Sequence, residues 1–138
     1  MNGIDVAGKP PRLALTVLAA IHLTVVLWHG TSHSQLAVML SRFQMLFVFG
    51  VIVIAPVLAT LLLWTRLDGL ALWIYAISMC ASLIFGLYYH YIALSPDNVH
   101  YLPPGGDTSR QQFAISAAAV AITELIATIW SGFSLSVD

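Results

Sequence analysis

Apolar residues fill four long stretches of the chain, separated by short polar segments. Each stretch is close to the roughly 20 apolar residues that an α-helix needs to cross a bilayer. The first runs from about Leu13 to Trp28, with a further turn reaching His33, and starts just after Pro10 and Pro11, residues suited to a helix entry. The second runs from about Phe43 to Trp64, between Arg42 and Arg66, and Pro56 inside it is expected to kink it. Thr65 to Gly69 is too short a turn for anything but antiparallel packing of its two flanking spans. The third span covers about Leu70 to Ile92 and ends in Tyr88, Tyr89, His90 and Tyr91. A polar loop rich in Pro and Gly, Ser95 to Ser109, leads to a fourth span from about Gln111 to Phe133. The pattern predicts an all-α protein: one integral membrane domain, a four-helix bundle of up-down-up-down topology.

Composition narrows the choice further. Of 138 residues, 59% are hydrophobic and 8% charged, against about a quarter charged in an ordinary soluble domain, so no water-soluble surface can be built. No Lys/Arg run exists to neutralise a phosphate backbone, which removes nucleic acid as a partner. The single cysteine, Cys80, excludes a disulfide framework or a paired-thiol redox motif and reads as a packing residue. Lys9 and Arg12 before an apolar run also fit a signal peptide, but His22 interrupts the run and no Ala-x-Ala site follows. A retained span is expected.

Charge also orients the chain. With the N-terminus cytoplasmic, Lys9, Arg12 and Arg66 lie inside and Arg42 and Arg110 outside, a margin of one residue. Both termini are therefore expected on the cytoplasmic side of a bacterial inner membrane. Trp64, Trp73 and Trp130 then fall at one interface, with Trp28 and the tyrosines at the other.

This arrangement collects four of the five histidines at the outer face: His29, His33, His90 and His100. His22, His29 and His33 also form one stripe, being seven and then four residues apart on the same helix. Imidazoles one turn apart can share a metal ion, and His90 and His100 would bring the donors to the number that zinc or copper takes. Histidines from two helices could equally ligate a haem iron. The sequence His29-Gly30-Thr31-Ser32-His33 lacks the Glu of a zinc-protease helix. Interfacial histidines that only hydrogen-bond water fit the same spacing.

Glu124 and His22 each lie about nine residues from the cytoplasmic end of their spans, about 13 Å deep, and so share a level. An intramembrane carboxyl faces the bundle interior and takes a partner, and His22 is the candidate. The pair reads either as a catalytic proton-transfer or ligand-anchoring couple, or as an interhelical hydrogen bond. Thr128 and Ser131 extend the polar face of Glu124, and Ala121 and Ala117 allow close helix approach.

Arg42 and Arg110, at the histidine-bearing end, either snorkel to the interface or clamp a carbonyl-bearing ligand such as a quinone. Tyr89, beside His90, is the candidate phenolic hydrogen-bond partner of a bound cofactor. Asp97 and Asn98 read as turn formers. No nucleophile with base and orienter, phosphate loop or close carboxylate pair is evident, and no inverted halves mark a transporter. Three functions remain: a binder of a metal ion (copper or zinc) or haem, a quinone-linked redox enzyme or subunit using His22 and Glu124, and a non-catalytic assembly subunit. The expected partners are the bilayer and a homo-oligomer or larger membrane complex.

Overall fold

A computed structural model describes residues 12–137. Lys9, Pro10 and Pro11, used above for orientation and helix entry, lie outside the described residues. Four helices, each long and apolar enough to cross a membrane, make up the fold: α1 (Arg12–Gln35), α2 (Arg42–Leu62), α3 (Asp68–Ile92) and α4 (Asp107–Val137). Among the described residues there is no strand. The last helix is longer at both ends than its apolar stretch, because Asp107 to Arg110 continue the helix past the hydrophobic run.

α4 packs along both α1 and α3, and α2 leans mainly on α3. Arg12 donates to Asp68 at 2.6 Å, joining the starts of α1 and α3, while His29 and His90 meet near their ends. The Arg12–Asp68 pair is about a third exposed on each side, so water screens it and it contributes little to stability. Its use is to fix register.

Local chemistry explains where helices stop. α1 closes with a Schellman motif: Val38 N–H donates to His33 O at 3.0 Å and Ala37 N–H to Ser34 O at 3.3 Å. Ala37 takes the left-handed conformation this requires, φ 51°, at a position where glycine is the usual residue. α2 opens with a capping box, in which Ser41 Oγ accepts from Gln44 N and Gln44 Oε1 accepts from Ser41 N.

The kink expected at Pro56 takes the form of a widened helix. Residues Val48–Ile54 are π-helical, with Ala55 N–H bonded to Gly50 O, before α-helix resumes at Ala55–Leu62. Pro56 has no N–H to give, and the hydrogen-bond register slips immediately ahead of it. A second π-helical stretch, Tyr88–Ile92, ends α3.

The interior is more polar than the exterior. Leu13, Leu46, Ile129 and Phe133 are among many large apolar side chains facing outward, whereas His22, His29, Ser82, His90, Ser116 and Glu124 are buried. An apolar cluster of Leu15, Ala19, Ala59, Leu63, Ala71, Leu72, Tyr75, Met79 and Ala127 closes one end. A smaller one, Leu36, Val38, Leu102 and Phe113, covers the other. Along the helices, His22, His29, Ser116 and Glu124 lie between these two plugs.

Candidate metal centre

α1 presents His29 and His33 one turn apart, and the π-helical end of α3 presents His90. His29 sits between the others: its Nε2 is 3.1 Å from Nε2 of His33 and 3.2 Å from Nε2 of His90. One ligand atom from each of the three rings lies within 4.8 Å of the others. Three histidines are therefore close enough to hold one metal ion. Ligands about 2.1 Å from an ion stand about 3.0–3.4 Å apart in octahedral or tetrahedral geometry. The two short separations fall in that range, and the widest pair must close by about an ångström.

Each ring is oriented by its other nitrogen. His90 Nδ1 donates to the carbonyl of Asp97 at 2.9 Å and His33 Nδ1 to the carbonyl of Val38 at 3.4 Å. Carbonyls only accept, so both rings carry their proton on Nδ1. His29 Nδ1 is 2.9 Å from Ser116 Oγ, whose own hydrogen goes to Phe113 O at 3.1 Å, giving His29 the same tautomer. With the protons on Nδ1, the three Nε2 atoms are left free to accept a cation, and the Nδ1 contacts are those that orient histidine ligands around metals. The Schellman turn at Ala37 thus has a second role: it brings the Val38 carbonyl back to His33.

The loop after α3 adds a carboxylate. Asn98 folds the loop onto the helix end by donating to Ala93 O and accepting from His100 N, both at 2.9 Å. Asp97, the neighbour of Asn98, is thereby buried, with Oδ2 accepting from Gln44 at 3.4 Å. Its Oδ1 lies 3.3 Å from His33 Nε2 and 3.2 Å from His90 Nδ1, yet it accepts no hydrogen bond. A buried carboxylate oxygen without a donor is suited to a cation. Against the rings, the fully buried Phe113 of the end cluster places its centroid 4.9 Å from those of His29 and His33 and 5.6 Å from that of His90.

A cavity of about 90 Å³ opens below the histidines and is shared by His29, His33, His90 and Asp97 at one end and Glu124 at the other. Glu124 is wholly buried; its Oε1 is 3.3 Å from His22 Nε2 and its Oε2 has no partner. A water needs about 10–15 Å³ of such volume, so the space takes a few small molecules and no macrocycle. Two imidazoles on opposite sides of a haem iron would also stand about 4 Å apart, farther than either short contact here.

Other residues singled out from the sequence do not join this site. His100 is exposed, and its described hydrogen bond is made by its backbone N–H. It is not among the three histidines that lie close enough to share an ion, so the expected fourth imidazole does not join the group. Arg42 is exposed and Arg110 half-buried, and neither lines the cavity. Tyr89 packs on Phe85 and Tyr88, also away from it. Asp97, Ser116 and Phe113 were not visible as site residues in the sequence, where only turn propensity marked Asp97. Comparison of the chain with protein-family models, with curated proteins and with solved structures finds no match.

Proposed function

We propose that the chain is an integral membrane protein of up-down-up-down topology that binds a divalent transition-metal ion, copper or zinc, near the outer face of a bacterial inner membrane. His29, His33 and His90 supply three Nε2 ligands and Asp97 Oδ1 the fourth donor. The observation that carries this reading is the clustering of three ring nitrogens while each Nδ1 lies within hydrogen-bond reach of a carbonyl or hydroxyl oxygen that can accept its proton. Neutral rings in that tautomer repel one another at 3.1–3.2 Å, and a cation between them reverses the sign of the interaction. The nitrogen and oxygen donors, without sulfur, suit Cu(II) or Zn(II). The Lys/Arg distribution, three residues against two, supports both termini lying on the cytoplasmic side.

The quinone-linked reading draws support from the buried His22–Glu124 pair alone, since Arg42 and Arg110 lie off the cavity that would have to hold the head group. Metal analysis of the full chain purified in mild detergent, with copper and zinc each supplied, tests the proposal. One tightly held ion per chain is expected, lost in His29→Ala. Absence of a stoichiometric ion, or its full retention in that variant, would overturn it.

A further inference from the structure

The metal reading uses the upper end of the cavity and leaves Glu124 Oε2 unexplained. That oxygen is fully buried and accepts no hydrogen bond, a state that costs about 1–3 kcal/mol when no donor is supplied. Its own helix gives it nothing, and His22 approaches the other oxygen. The space it faces is walled by Val26, Val48, Ile52, Phe85 and Val120, none of which carries a side-chain donor, and by Ser82, whose hydroxyl hydrogen goes to Ser78 O at 2.7 Å.

Gly86 keeps that space open. A Cβ built there would stand 3.8 Å from Glu124 Oε2 and 4.0 Å from His90 Cδ2. Carboxylate and imidazole are thus separated by about the width of one absent side chain, and anything larger than a methyl group at residue 86 would enter the cavity between them. Two independent features therefore point to the same volume: an acceptor aimed into it, and a glycine that leaves it free.

We propose, resting on the metal reading, that the ion keeps one coordination position directed into this cavity, and that the position takes a water-sized oxygen ligand, water or hydroxide, whose O–H donates to Glu124 Oε2. Sites closed by protein ligands are structural, whereas sites with a position for an exogenous ligand are of the reactive kind. The ligand satisfies the orphaned oxygen, and Glu124 positions the ligand through its hydrogen. Small exogenous donors of two or three atoms compete for the same place, while larger ones are excluded by the cavity's size.

The test uses the copper-loaded full chain in detergent. Electron-nuclear double resonance in D₂O should detect exchangeable deuterons on an oxygen bound to copper, and azide should shift the visible spectrum with one-to-one stoichiometry. Gly86→Ala should retain both responses. Gly86→Val should retain copper and bind azide at least tenfold more weakly. Glu124→Gln, equal in size, should keep copper and change the deuteron coupling. Copper bound in wild type with neither deuteron nor azide signal would overturn the open position and leave the metal reading standing; an unchanged coupling in Glu124→Gln would overturn the hydrogen bond. Failure to bind either copper or zinc would overturn both.

Discussion

His29 and His90, 61 residues apart in the chain, meet Nε2 to Nε2 at 3.2 Å. The contact ties the ends of α1 and α3, and with both rings protonated on Nδ1 the two nitrogens gain from proximity when a cation lies between them. Loss of either ring should therefore remove the ion altogether. His29→Ala and His90→Ala should each weaken metal affinity by at least about 100-fold, beyond the range typical of supporting residues. His100→Ala, by contrast, should bind as wild type. Isothermal titration with zinc in detergent measures both.

Residues that touch no ion but orient the rings should show intermediate losses. Ser116→Ala leaves His29 Nδ1 without its acceptor, and a 10- to 100-fold loss of affinity is expected, as for such contacts generally. Asp97→Asn should act more strongly, because it weakens a donor and leaves the backbone carbonyl held by His90 in place. A Ser116→Ala protein with unchanged affinity would show that the tautomer of His29 is set elsewhere.

The buried pair below the cavity can be weighed by a double-mutant cycle. His22→Leu should cost about 1–3 kcal/mol of stability, since Glu124 then has both oxygens unpartnered. Adding Glu124→Leu should recover part of that loss, with a coupling energy of about 0.6–1.7 kcal/mol, the range for interhelical hydrogen bonds in membranes. Denaturant unfolding in mixed micelles reads the cycle, and strict additivity would mean that the two groups do not interact.

Ala37 offers a substitution in the opposite direction. It holds φ 51° at the end of α1, a conformation that costs an L-residue about 1–2 kcal/mol. Ala37→Gly should raise stability, net of the greater freedom glycine has when unfolded, by about 0.5–1 kcal/mol. A higher thermal midpoint with unaltered metal affinity is expected.

Hydrophobic run length was enough to read the four helices, because the periodicity of long apolar segments survives any detail of packing. The levels of His22 and Glu124 also follow from counting residues along straight helices. What could not be counted was any place where the backbone departs from the α-helix. His90 reaches the other histidines from a π-helical turn, and no residue pattern announces that turn. Asp97 and His100 lie three positions apart in one loop, and only the path set by Asn98 decides that the carboxylate is buried and the imidazole exposed. Ser116 and Phe113 read as ordinary span residues until the first helix is laid beside them.

The widened turn at Tyr88–Ile92 gives the chain an unusual sensitivity to length. In an α-helix each residue advances the side-chain direction by about 100°, so deleting one amino acid there, and letting the segment relax to regular winding, swings the His90 ring off its partners by more than a quarter of a revolution. Apolar content, helix count and the ability to insert would all persist. A chain shorter by that one residue would be indistinguishable by hydropathy and would keep all three histidines, yet it would no longer bring the three ring nitrogens together, so a single-codon gap can undo the cluster without touching any of its side chains.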